Sequence, residues 1–218
     1  MGAITRAAAN NITTGGVILP AGINDASVAS VTALAQVSAG DGITLISSQT
    51  ASSSASLSFT TGIDSTYRTY LFKFINMHAS VLASNFGFNL STDGGSNYNV
   101  TKTSSALRSV HAENDSAASL SYIQGQHLQQ STSDQLLSNS ASIESDASIS
   151  GYLYLFQPSS TTYVKHYIGN TNFMNDSVYS YQTMISGYGN TTSACNAIIF
   201  RMSSGNIDAG TIHMYGIA

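Results

Sequence analysis

RTYLFKFINMH, residues 68–78, places Tyr70, Phe72 and Phe74 on one side of an extended chain and Leu71, Lys73 and Ile75 on the other. Successive side chains of a β-strand point to opposite faces, so this period of two predicts a strand with one face in a core and the other at least partly covered. Working outward, Phe86, Phe88 and Leu90 repeat the alternation, and STDGGSN then leads into YNVTKT through a Gly-rich turn, which predicts a hairpin. GYLYLF (151–156) and TTYVKHYIG (161–169) flank Gln157, Pro158, Ser159 and Ser160, again turn composition between two aromatic strands. The same device recurs at AIIFRMS (197–203), SGNIDAG and TIHMYGI (211–217). With ITLIS, ASLSFT and SYQTMISGYG the strands number about eight to ten, and no long amphipathic helix pattern competes. The expected fold class is all-β: a two-sheet antiparallel sandwich of jelly-roll type.

Two stretches depart from this pattern. Residues 104–147 are polar and Gln-rich, with strands expected around Leu107–His111 and Leu120–Ile123 and a helical turn near Gln135–Leu137. Loops of this kind are where surface recognition or subunit contacts concentrate. Residues 1–42 hold small residues, Gly and Asn but no aromatic, so they cannot build much core. They read as an extended N-terminal attachment arm, with a short helix near Ala7–Ala9 and apolar tabs at Val17, Ile18 and Leu19 that would lie along another protein. The sandwich domain is then residues 43–218.

Composition narrows the function. Charged residues make up 8% of the 218 positions, about a third of the usual share, while 42% are hydrophobic. Such a chain folds, and its surface is hydroxyl and amide rather than ionic. That surface suits a protein outside a cell, or one packed against identical neighbours. Seven Lys and Arg stand against 11 Asp and Glu with no basic cluster, so nothing supplies the phosphate neutralisation that nucleic-acid binding needs. No apolar run approaches the length of a membrane span, and the opening MGAITR has neither the basic and apolar regions of a secretion signal nor, with Arg6 in place of Ser or Thr, the myristoylation pattern.

Residue types that carry chemistry do not assemble into motifs. Cys195 is alone and reads as a small buried hydrophobe. His78, His111, His127, His166 and His213 contain no pair at metal-ligand spacing; His166 and His213 alternate with core-type residues and read as hydrogen-bonded sheet residues. Asp93–Asn97 offers oxygens without the order of a calcium loop, so a turn is expected. Glu113, Asp115, Glu144 and Asp146 are the carboxylates from which a glycan-cleaving acid/base pair would have to come. The N-x-S/T triplets at Asn11, Asn89, Asn99, Asn114, Asn175 and Asn190 follow from a composition rich in Asn, Ser and Thr. The expectation is a non-enzymatic protein with no catalytic, cofactor-binding or metal-binding residue and no cofactor.

SLSFTTGIDSTYRTYLFKFINMH, FGFNLSTDGGSNYNVTKT, SGYLYLFQPSSTTYVKHYIG and the closing AIIFRMSSGNIDAGTIHMYGIA together resemble a module of structural proteins of tailed bacteriophages, especially marine ones. The similarity spans residues 43–218, and SSGNIDAGTIHMYGI is its most specific part. The opening MGAITRAAANNITT also resembles the short segments that begin such proteins. The resemblance implies a jelly-roll-like fold, trimeric or other multimeric assembly, and exposure on the virion exterior; it supplies no catalytic motif. A homotrimer held by Leu, Tyr and Phe side chains is expected, with another virion protein gripping the arm. In one placement the chain is a tail-fibre-type appendage whose sandwich meets a host-surface glycan or protein. In the alternative it is a capsid decoration, cement or head-fibre protein; a glycan-cleaving spike enzyme is a third, weaker reading.

Overall fold

The computed structural model describes residues 42–218; the expected attachment arm, with its helix at Ala7–Ala9 and tabs at Val17–Leu19, lies almost wholly outside the described residues. Those described form twelve strands and no helix. They are β1 (Ile43–Thr50), β2 (Leu57–Phe59), β3 (Thr69–Ala79), β4 (Phe86–Ser91), β5 (Lys102–Ala112), β6 (Ala118–Tyr122), β7 (Gln135–Leu136), β8 (Ile149–Phe156), β9 (Lys165–Met174), β10 (Tyr179–Gly189), β11 (Ala197–Met202) and β12 (Ile207–Ile217). One antiparallel sheet has eight strands in the order β1-β12-β3-β8-β9-β10-β5-β6, the other four in the order β2-β11-β4-β7. Packed face to face they make the expected sandwich. β1 pairs with β12 and β2 with β11, first with last and second with last but one, which is the wrapping of a jelly roll. Further in, β8, β9 and β10 run as an antiparallel meander.

The core follows the parity read from residues 68–78. Tyr70, Phe72 and Phe74 of β3 point inward and are buried, as are Phe86, Phe88 and Leu90 of β4 and Ile198 and Phe200 of β11. Phe200 is the hub, with ring centroids 5.2 Å from Phe74, 5.4 Å from Phe72, 6.1 Å from Phe86, 6.2 Å from Phe59 and 6.3 Å from Phe88. The alternation of β3 slips once: Asn76 takes φ 51° and the register to β8 shifts between Phe74 and Met77, so Met77 and Ala79 face the core instead of Asn76 and His78.

Four expectations need correction. The hairpin expected between Phe86–Leu90 and YNVTKT does not form: β4 already has β11 on one side and β7 on the other, so β5 crosses to the large sheet and pairs with β10 and β6. SGNIDAG likewise is not a turn within one sheet but an arch, carrying the chain from β11 in the small sheet to β12 in the large one. The helical turn at Gln135–Leu137 is instead β7, which pairs with Gly87 and Phe88 of β4; burying Gln135 and Leu137 against the core outweighs local helix preference. The strands number twelve rather than eight to ten; β6 falls at the strand expected around Leu120–Ile123, while the two-residue β7 is too short to show a period. The β8–β9 hairpin forms as read.

Candidate functional site

Two surfaces stand out, one on the outside of each sheet. On the large sheet, register places Leu45, Tyr215, Leu71, Tyr154 and Ile168 side by side in one row across β1, β12, β3, β8 and β9. The next row runs His213, Lys73, Tyr152, Asn170, Met184, Leu107 and Tyr122 from β12 to β6. Tyr154 packs between Tyr152, 5.4 Å away, and Phe156, 6.2 Å away. Leu107 is 42% exposed, Ile168 50% and Tyr122 51%. These rows hold one lysine and no carboxylate. The first row is apolar and aromatic from β1 to β9 and continues in Ser186 and Ser105, whereas the second mixes Tyr152, Met184, Leu107 and Tyr122 with His213, Lys73 and Asn170; the apolar stretch over β1, β12, β3, β8 and β9 is the kind of patch that marks an interaction surface.

On the small sheet the outward side chains are mixed, with Asn89 and Arg201 beside Ile199 and Leu136, and a cleft of about 770 Å³ opens over β4 and β11, bounded by Tyr98 and by the segment 125–134 that precedes β7. Parity puts Asn89 and Arg201 outside because Phe88, Leu90 and Phe200 are inside. Arg201 lies opposite Gly87, where an added Cβ would stand 2.9 Å from Gln135 O; the missing side chain lets β7 close in. Arg201 Nε donates to Asp134 Oδ2 at 2.6 Å and Nη2 to Oδ1 at 2.9 Å, a two-point ion pair. Asn89 Nδ2 donates to Thr132 O at 2.9 Å and to Asp134 Oδ1 at 3.0 Å.

Beneath this layer Lys102 is fully buried, donating to Asn89 Oδ1 at 2.6 Å and Val100 O at 2.8 Å. Burial pulls its ammonium down to about 8, only partly opposed by the Asp134 charge. Burial pushes the Asp134 carboxyl up, but the hydrogen bonds from Arg201 and Asn89 outweigh it, and the group is held below the ordinary carboxylate range. Gln135 donates through Nε2 to Gln126 O at 2.9 Å and accepts from Tyr167 Oη at 3.0 Å. Gln126 is 2% exposed; its Nε2 donates to Asn139 Oδ1 at 2.9 Å, and its Oε1 has no partner among the described residues. The cleft is therefore lined by fixed donors and acceptors, and no histidine lines it.

The residues singled out in the sequence lie elsewhere. Cys195 is buried, and burial pushes its thiol up to about 11. His166 and His213 sit on the outer face of the large sheet against the rings of Tyr188 and Tyr215, and His213 Nδ1 is buried without a partner among the described residues, which corrects the expected hydrogen bonding there. His78 lies 3.2 Å from Glu144 O and 3.6 Å from Asp208 Oδ2; His111 lies 3.2 Å from Asp115 Oδ1; His127 stacks on Tyr122. Glu113 and Asp115 occupy the β5–β6 turn, and Glu144 and Asp146 the β7–β8 connection. Among the described residues no three of His, Cys, Asp and Glu come together in a way that could hold a metal ion. Asp93 turns both oxygens onto its own loop: Oδ1 accepts from Ser91 Oγ at 2.6 Å and Asn97 N at 2.8 Å, Oδ2 from Asn97 Nδ2 at 2.7 Å. Those bonds hold it at about 2, and the expected turn is what they build. Asn89 and Asn175, two of the N-x-S/T positions, are buried.

Sequence reasoning missed Asn89, Lys102, Gln126, Asp134 and Arg201. Only Lys102 left a trace, since it shares parity with Val100 in YNVTKT and so reads as an inward cation. Fold and surfaces together define an all-β sandwich with one apolar sheet face and one polar cleft. Comparison with protein families, with curated proteins and with solved structures finds no match to this chain.

Proposed function

We propose that this chain is a non-enzymatic structural subunit on the exterior of a bacteriophage particle, a multimeric appendage of tail-fibre type that makes contact with a host surface. The observation that carries the reading is the outer face of the large sheet. Eight strands spaced about 4.8 Å apart and about eight residues deep span on the order of 1,000 Å², more than the ~800 Å² per partner that a stable interface buries. The row through Leu71, Tyr154 and Ile168 suits an apolar cover, and a second copy of the chain brings one in its own row. A homotrimer in which this face turns toward neighbouring copies accords with a chain only 8% charged. The likeness of SSGNIDAGTIHMYGI to phage structural modules supplies the setting. Of the four loop carboxylates weighed for glycan cleavage, none lines the small-sheet cleft, and Asp146 lines a separate hollow with His78 and Asp208.

The test is the copy number of this chain in purified particles, measured by quantitative mass spectrometry against the major capsid protein. A few trimers per particle is the expected result. A ratio near one per capsomer or three-fold axis would move the chain to the capsid decoration class, which an attachment arm of about forty residues would also suit. Absence from particles of a phage that encodes it would overturn the virion reading.

A further inference from the structure

We infer that the cleft over β4 and β11 is a binding site for a neutral, hydroxyl-rich ligand, a monosaccharide unit of a glycan. The cleft volume of about 770 Å³ falls in the range of small-molecule sites and exceeds what one sugar ring needs. Its floor is rigid, since Asn89 and Arg201 stand on paired strands and the Arg201–Asp134 bonds hold the covering segment in place. Preorganised polar groups are what a sugar site requires, because the ligand's hydroxyls give up water on entry and must find partners already set.

The chemistry of the lining selects the class. Asp134 keeps acceptor capacity beyond its bonds to Arg201 and Asn89, while Arg201 offers Nη1, which no described residue engages. Thr132 and Ser133 add hydroxyls that both donate and accept. A ligand matching this lining must donate and accept at adjacent atoms, which is what vicinal hydroxyls do. An anion would have to displace Asp134 from Arg201, and a cation would face Arg201 itself; Lys102 lies beneath, already bonded to Asn89 and Val100. Leu128, Leu136, Met202 and the ring of Tyr98 provide an apolar wall for the C–H face of a sugar ring.

The inference stands on the cleft's own chemistry and rests on the reading above only for the source of the sugar, a host surface. Its test is a titration of the isotopically labelled full chain with neutral hexoses and N-acetylhexosamines, followed by amide NMR, with acetate and ammonium as charged controls. Saturable millimolar shifts confined to Gly125, Gln126, Asp134 and Arg201 are expected. They should vanish in Ser133→Phe and in Thr132→Tyr, which fill the cleft without touching the Arg201–Asp134 pair, with melting unchanged. No saturable shift from any sugar, equal binding by a folded filled variant, or stronger shifts from either charged control would overturn the inference. Absence of the chain from phage particles would leave the titration untouched, so the two readings fail separately.

Discussion

Replacing Phe200 by Ala tests the sandwich at its centre. The ring is fully buried and lies among Phe59, Phe72, Phe74, Phe86 and Phe88, which come from three strands of the two sheets. Deleting a buried Phe side chain costs about 3–5 kcal/mol through lost transfer energy and the cavity left behind. Aromatic pairs add about 0.5–1.5 kcal/mol each beyond area, and rings anchored on paired strands cannot collapse far into the void, so the upper end, about 5 kcal/mol, is expected. For a domain of this size that corresponds to a fall in Tm of roughly 10–20 °C. Urea unfolding followed by far- and near-ultraviolet circular dichroism suits a chain without Trp. It is run at one fixed protein concentration, because self-association would add concentration-dependent stability. Phe200→Leu, which keeps most of the volume, should lose only about 1–1.5 kcal/mol. A loss below about 2 kcal/mol for Phe200→Ala would refute the packing described for the two sheets.

Three further outcomes follow from the same structure. Lys102 has a folded pKa of about 8, below its ordinary 10.5, so the folded state bears the burial penalty in full below that value and sheds it as pH rises toward the unfolded value. Stability should therefore rise by on the order of 1–2 kcal/mol from about pH 7.5 to about 9.5, before Tyr70 and Tyr167, whose folded pKa values are raised, reverse the trend above about pH 10; Lys102→Met should flatten the rise in urea melts. Asp134 is held below its ordinary range, so its contribution is present above about pH 4 and is lost as pH falls through the folded value; Asp134→Asn should cost about 1–2 kcal/mol at neutral pH and remove that acid-dependent loss. Ile168→Glu, at a half-exposed position in the row through Leu71 and Tyr154, should convert the proposed multimer to monomer by light scattering and lower stability only by the concentration-dependent part that self-association adds; an unchanged mass would exclude this face as the contact.

How much of this was legible beforehand depends on the range of the interaction involved. Alternation in residues 68–78 and 86–90 is local: a strand has period two whatever it pairs with, so the shared face of Tyr70, Phe72 and Phe74 and that of Phe86, Phe88 and Leu90 could be read directly. Turn composition located chain reversals but not where the chain went next, because a Gly-rich turn serves a hairpin and a sheet-to-sheet arch alike. That is why β5 and β12 were misplaced: the destination of a strand depends on which edges are already occupied, and β4 and β11 each have both edges filled.

Composition and period alone make this chain all-β, poor in charge and rich in aromatic core residues, since neither needs a partner to be meaningful. Tertiary structure alone decided that Asp134, in a loop without pattern, closes on Arg201 67 residues away, and that Asn89, between two core residues, binds both Asp134 and Lys102. It also decided that apolar side chains from β1, β12, β3, β8 and β9 align into one outer row. Each of these joins segments far apart in the chain, and which segments meet is set by the pairing of strands, a property that no single stretch of residues carries.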